Sequence, residues 1–377
     1  MSRQKGGDDT AEIAIDARWL HSGGLGTYTY QLMAGLTQRG DGFALRGIVN
    51  QRNADRVTPF CKNVVIAEAS IYTVREQLEI AWAARGADLL HIPHYNAPLL
   101  HRGPLVVSIL DLIHITDPVY RRSLASRMYA WPMLNLAARK ADHIVTISEY
   151  SKAQIVEHLG IRADKVTAIH CGVTSQFRIL NQQEAYAAIS GTLGLRRPYI
   201  LYVGNLKPHK NVSTLLRAFA QLCEHQVIPQ DLLIIGDDAR WGNSRREESA
   251  RLGIAKRTHF VSSLPQDLLP QAYAAADLLV MPSTIEGFGL PVLEAMACGT
   301  PVACSRAASL PEVGGDAAVY FDPSSPEDLA AAIESIVNSP DAQRRLRLKG
   351  LERSKQFSWS DSARKHVEIY RNLLGLN

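Results

Sequence analysis

Short apolar runs rich in β-branched residues and leucine alternate along the chain with longer segments whose apolar positions recur every three to four residues. The first run is Glu12-Ile-Ala-Ile-Asp16, followed by a helical segment over residues 27–39 and a second run over 44–49. Runs that are apolar nearly throughout and separated by helices are what parallel strands buried on both faces require. The rhythm continues through residues 87–92, 105–110, 143–147 and 165–169, which completes one doubly wound α/β domain. A polar stretch over 178–194, with a helical piece at 183–193, interrupts it. The rhythm restarts with strands expected at 199–203, 231–235, 258–261, 278–281, 301–304 and 318–321, with helices such as 212–224 and 265–275 between them. The pattern predicts an α/β protein with a first domain over 1–190 and a second over 191–356. An amphipathic helix over 357–377 is expected to pack back on the first domain.

Composition narrows the classes. A chain of 377 residues suits two domains of ordinary size. A formal charge of +4, dispersed along the sequence, is too weak for a protein whose affinity rests on neutralising a nucleic-acid backbone. The five cysteines are widely spaced, with no Cys-x-x-Cys pair and no zinc-type cluster, and read as reduced packing residues of a cytoplasmic protein. No stretch has the length and hydropathy of a membrane-spanning helix, and no secretion signal is expected. His91 and His94 lie three apart without a third convincing ligand, so no metal site is expected.

The most informative segment is Pro282-Ser-Thr-Ile-Glu286-Gly287-Phe288-Gly289-Leu290-Pro291-Val-Leu-Glu294-Ala-Met-Ala-Cys-Gly299. It leaves the carboxyl end of an expected parallel strand, where open α/β sheets place their ligands. Pro291 suits the first turn of a helix that Gly299 ends, so Glu286 falls in the loop and Glu294 on the helix. Unblocked amides at that helix start suit a diphosphate, with the two carboxylates accepting hydrogen bonds from hydroxyl groups on either side. On the residues alone, a surface loop with a capped core helix fits equally well, with Glu286 solvated and Glu294 merely complementing the helix dipole.

The Glu-x7-Glu spacing of Glu286 and Glu294, followed by Ala-Met-Ala-Cys-Gly-Thr-Pro-Val, resembles the signature of the large family of retaining glycosyltransferases that includes sucrose synthase and bacterial polysaccharide mannosyltransferases. The resemblance implies a GT-B fold: two facing Rossmann-like doubly wound domains with an interdomain cleft. It implies that Glu286 contacts the transferred sugar and Glu294 the ribose of the nucleotide, with Gly287, Phe288, Gly289 and Leu290 shaping the donor site. Val203-Gly204-Asn205-Leu-Lys207-Pro-His209-Lys210-Asn211 resembles the family's phosphate loop, in which Lys210 matches the lysine that grips the diphosphate. The family's earlier arginine is replaced by Asn205. Near the N-terminus, the stretch from Asp16 to Thr29, with Gly23, Gly24 and Gly26, resembles the glycine-rich loop that closes over donor phosphates, with Gly24 as its donor-binding residue. The stretches 88–100 and 106–114 resemble the family's acceptor-side wall; Leu110 stands where many relatives carry a histidine, Asp111 matches the next position and is expected to be catalytic, and His114 or His94 are candidates to replace the missing ring.

The implied activity is retaining, metal-independent hexosyl transfer from a nucleotide sugar to a saccharide or lipid-linked saccharide, without a cofactor. The style of the acceptor-side segment leans toward mannose from GDP-mannose and toward polysaccharide or glycolipid synthesis. A helix candidate over 123–138, carrying Met128, Trp131 and Leu134 with Arg121, Arg122, Arg127, Arg139 and Lys140 in or beside it, is a candidate for peripheral attachment to an anionic membrane. An ordinary surface helix with an apolar core face fits it as well. Alternative readings are a non-catalytic, hydrolytic or epimerising protein that binds a sugar nucleotide. A dinucleotide oxidoreductase is disfavoured, because Thr29 stands where the third glycine of that fingerprint is needed.

Overall fold

The computed structural model describes residues 10–21, 23–71, 73–117, 130–236, 241–265 and 267–376. The chain divides into two compact units, one formed by residues 1–172 with 359–377 and the other by 173–358.

The first unit is built on a seven-stranded sheet in the order β3-β2-β1-β4-β5-β6-β7. The strands are β1 (Ala11–Asp16), β2 (Phe43–Val49), β3 (Asn63–Ile66), β4 (Leu89–Ile92), β5 (Leu105–Ser108), β6 (His143–Thr146) and β7 (Val166–Ala168), and each neighbour pair is parallel. The central strands β4 and β5 are buried at every position, in keeping with helices on both faces. The strand order reverses between β1 and β4, which opens a crevice at their carboxyl ends. The edge strand β3 has no counterpart among the expected runs: it is four residues long, starts on Asn63 and exposes both ends.

The C-terminal helix Trp359–Leu374 packs along the helix Gly23–Arg39. The two backbones approach so closely that a Cβ on Gly35 would lie 2.9 Å from the Ala363 Cβ. A buried chain of hydrogen bonds joins these helices to the sheet, and its proton order follows from one carbonyl. His366 Nδ1 must donate to the Ser362 carbonyl (2.7 Å), so its Nε2 accepts from the Tyr28 hydroxyl (2.9 Å). Tyr28 then accepts from Ser108 (2.9 Å), Ser108 from His91 Nε2 (2.7 Å), and His91 Nδ1 from Tyr370 (2.6 Å). Burial holds both imidazoles below their ordinary pKa, as this neutral pattern requires.

The second unit repeats the plan with six parallel strands in the order β10-β9-β8-β11-β12-β13. They are β8 (Tyr199–Val203), β9 (Asp231–Ile235), β10 (Thr258–Val261), β11 (Leu278–Met281), β12 (Val302–Ser305) and β13 (Val319–Phe321). Its order reverses between β8 and β11, which pair only through Leu278 with Ile200 and Leu279 with Leu201. The division between units falls after Gly172, not at residue 190. Helix Gln182–Leu193 packs on helix Leu269–Ala275, and Tyr186 stacks on Tyr199 of β8, so this segment belongs to the second core.

Of the basic helix candidate at 123–138, residues 123–129 lie outside the described residues, together with Arg121, Arg122, Arg127 and Met128. The remainder falls in helix Trp131–Lys140, where Met133, Leu134, Ala137 and Ala138 face the core. Among the described residues no helix is long and apolar enough to cross a membrane.

Candidate functional site

The loops after β8 and β11 flank the reversal point of the second sheet, and they are fastened to each other. The Thr284 amide donates to the His209 carbonyl (2.8 Å), and the Asn211 side-chain amide donates to the carbonyls of Pro282 (3.0 Å) and Pro323 (2.7 Å). Asn211 adopts a left-handed backbone, φ 55°, and its Oδ1 accepts from Thr214. Asn tolerates this region better than most residues. Asn211 closes the quoted phosphate-loop segment, yet nothing in its spacing marks it as the residue that holds Lys210 in place.

Fastening the loops brings Lys210 and Glu286 together. Lys210 Nζ lies 2.6 Å from Glu286 Oε1, which also accepts from the Ser283 hydroxyl at 2.8 Å. Glu286 is buried, so the solvated-loop reading of this residue is set aside. An ammonium has three donors and the bond to Glu286 uses one, which leaves donors for an anion.

Gly287, Phe288 and Gly289 carry the chain from Glu286 into helix Leu290–Cys298, with Pro291 in its first turn and Gly299 as its left-handed cap. Gly289 takes φ 108°, and a Cβ there would lie 2.8 Å from Leu310 Cδ2, so the turn requires glycine. The Ser309 hydroxyl reaches the carbonyls of both Glu286 (3.0 Å) and Phe288 (2.9 Å), and the Phe288 ring meets Phe357 edge-on. These contacts hold the helix start beside the Lys210–Glu286 pair.

Glu294 stands on the same helix and keeps part of its surface exposed. Its Oε2 accepts a 2.6 Å hydrogen bond from the Tyr273 hydroxyl. Burial pushes its carboxyl up to about 7, a rise that the Tyr273 bond only partly opposes. Tyr273, 21 residues earlier and edge-on to Phe177, gave no sign of this role in the sequence. Asn205, at the position of the missing arginine, turns its Oδ1 to the Lys207 amide (3.3 Å), while Tyr202 donates to its carbonyl (2.7 Å).

The other candidates lie in the first unit. Gly24 does not sit in a loop: it is in the first turn of helix Gly23–Arg39, exposed and with open space where a Cβ would be. The helix begins four residues before the expected start because its glycines wind into it; the Thr27 hydroxyl bonds the Gly23 carbonyl at 3.3 Å. Asp111 follows β5, and its Oδ1 accepts from the Ile113 amide (3.0 Å). The His114 side chain is outside the described residues. His94 stacks on Trp19 with ring centroids 4.7 Å apart, whereas His91 spends both ring nitrogens in the buried chain and has none left for a ligand.

The carboxyl end of β1 holds a feature that spacing did not suggest. Arg18 binds Asp16 through two bonds (2.8 and 2.9 Å), Glu76 at 2.6 Å and the Ala69 carbonyl at 3.1 Å, and Asn96 donates to Glu76. Every member is buried.

Comparison with known proteins gives a consistent picture. The family model described as glycosyl transferases group 1 matches residues 190–353, and that of glycosyltransferase family 4 matches residues 22–177. O-antigen chain mannosyltransferase B of Escherichia coli is 31% identical over 301 residues, which cover 78% of this chain and 77% of that protein. D-inositol 3-phosphate glycosyltransferase of Rhodococcus opacus is 27% identical over 307 residues, covering 78% of this chain and 64% of the relative. Among solved structures, Anabaena HepE in complex with UDP and glucose has a TM-score of 0.79 at 19% identity, covering 96% of this chain and 100% of HepE, a likeness of fold.

Proposed function

The chain belongs to the group 1 glycosyltransferases, with the Rossmann-like domains of the GT-B fold, and from that premise we propose that it is a retaining, metal-independent hexosyltransferase acting from a nucleotide sugar. The acceptor is a saccharide or a lipid-linked saccharide, in the synthesis of a cell-surface polysaccharide or glycolipid. The similarity to an O-antigen mannosyltransferase supports mannose as the hexose, and GDP-mannose is the donor we propose with it.

The observation that carries the proposal is the Lys210–Glu286 pair at the reversal point of the second sheet, with Glu294 eight residues further on. Lys210 supplies a fixed cation to the diphosphate, and the Leu290 amide at the helix start supplies a hydrogen bond to it. The acceptor oxygen bonds to the anomeric carbon as the bond from that carbon to the phosphate oxygen breaks. The electron pair stays on the phosphate, which takes up the acceptor's proton. Negative charge on that oxygen grows through the step, so Lys210 binds the transition state more strongly than the ground state, which is the condition for raising the rate. Glu286 is the acceptor for a hydroxyl of the transferred sugar and Glu294 for the ribose. Asn205 offers its side-chain amide to the donor. Gly24 and Asp111 remain the first unit's candidates, Gly24 through helix-start amides and Asp111 through its carboxylate.

The test is a panel of sugar nucleotides scored by nucleotide release, with and without lipid-linked oligosaccharide, for wild type and Glu294→Ala. Release that depends on acceptor, with weakened nucleotide affinity in the variant, is expected. Unchanged kinetics in Glu294→Ala overturns the assignment, and acceptor-independent release of free sugar points to a hydrolase.

A further inference from the structure

Helix Val74–Ala83 is apolar on the wrong side as well as the right one. It buries Ile80 and Ala83, together with Glu76, toward the first unit's core. On the opposite face Val74, Leu78 and Trp82 follow one another at intervals of four, and they are 80%, 55% and 64% exposed. That spacing lines them into one stripe. Leu100, in the loop after β4, is 62% exposed and lines the same groove of about 510 Å³ as Trp82. Single exposed apolar residues are ordinary, but a stripe continued by a neighbouring loop marks an interaction surface.

Charge indicates what that surface meets. Arg85 and Arg102 line the groove, both are exposed, and neither makes an ion pair among the described residues. Among the described residues, no acidic one lines it. The nearby Arg75 is already paired with Glu79. A second copy of the chain would set this face against itself in a two-fold contact, bringing arginines toward arginines with no carboxylate between them. A lipid surface supplies both an apolar layer for Leu78, Trp82 and Leu100 and phosphates for the two arginines. Tryptophan, with an apolar ring and a polar N–H, suits the boundary between headgroups and acyl chains.

We infer that the face formed by Val74, Leu78, Trp82 and Leu100, flanked by Arg85 and Arg102, seats the first unit on the surface of a bilayer that carries anionic lipid. It is a different surface from the basic helix candidate of the sequence, and it acts without donor or acceptor, so it is measured independently of the transfer reaction.

The full chain is floated on a density gradient with vesicles of phosphatidylcholine alone or with roughly a third phosphatidylglycerol. Leu78→Ser/Trp82→Ser, Arg85→Gln/Arg102→Gln and Trp131→Ser are compared with wild type. All five positions are exposed, and thermal melts confirm that each variant is folded. Wild type is expected to float with anionic vesicles and to be released by salt. The serine pair is expected to abolish flotation, the glutamine pair to weaken it by about fivefold per arginine, and Trp131→Ser to leave it unchanged. Wild type that fails to prefer anionic vesicles overturns the inference. So does normal flotation of the serine pair, or loss of flotation in Trp131→Ser alone. A concentration-dependent dimer that the serine pair dissolves assigns the face to a second copy and overturns it equally. Nucleotide release with a water-soluble acceptor, run on the same samples, reports separately on the transfer reaction.

Discussion

Both sheets reverse their strand order once, and both place a basic residue at that point, but the two are provided for differently. Arg18, at the end of β1, is nearly saturated: it holds Asp16, Glu76 and a backbone carbonyl, and the side chains of the ion pairs are 5% and 1% exposed. Lys210, after β8, has one carboxylate partner, and the side chains of that pair are 15% and 8% exposed. A guanidinium with its fork filled fixes a loop and has little left to offer a ligand. An ammonium with donors to spare at a crevice edge is available to an anion. The same sheet architecture thus yields a structural clamp in one unit and a candidate binding site in the other. What separates them is how completely the charge is satisfied.

Substitutions should separate the two roles, the clamp first. Arg18→Met leaves Asp16 and Glu76 buried without their counter-charge, and is expected to cost about 3–5 kcal/mol of stability in urea unfolding. A midpoint close to wild type would show that the clamp is dispensable. Lys210→Met should do the reverse. Removing a donor aimed at developing charge is expected to slow transfer by roughly 10²–10³-fold, about 3–4 kcal/mol, while the loss of stability stays smaller than that of Arg18→Met, because one carboxylate rather than two loses its counter-charge and Glu286 keeps the Ser283 hydrogen bond. Loss of folding in this variant would make the pair a clamp like the first.

A smaller and pH-dependent effect belongs to Glu294. Its carboxyl titrates at about 7 in the fold, above the ordinary value of 4.5. The folded chain therefore keeps a proton that the unfolded chain has already released, and stability is lost as pH rises from 4.5 through 7. Glu294→Gln removes that penalty. Its urea midpoint relative to wild type should climb between those limits and level off above them. A difference that stays flat or falls with pH would contradict the burial of the carboxyl.

The strands were legible because buried parallel strands leave apolar runs that periodicity detects; such a run located the Glu286–Glu294 segment, but only the family resemblance separated it from a solvated loop. Edge strand β3 was not, since a half-exposed strand starting on Asn63 lacks the signal. Partners distant in sequence were also hidden: Glu76 is 58 residues from Arg18, and Tyr273 precedes Glu294 by 21. The start of helix Gly23–Arg39 was missed because glycines read as loop, and the domain boundary because helix Gln182–Leu193 is polar enough to resemble a linker. The family resemblance singled out Lys210 and Glu286 separately; the bond between them depends on Asn211 and Thr284, whose contacts are tertiary.

The central claim, that the Lys210–Glu286 pair handles a nucleotide sugar, is tested most directly by acceptor-dependent nucleotide release across a donor panel that includes GDP-mannose, for wild type, Glu286→Gln, Lys210→Met and the double variant. The account predicts release by wild type from at least one donor, large losses in each single variant, and a double variant no slower than the slower single, because the pair acts as a unit. Single variants that release nucleotide at the wild-type rate would contradict it.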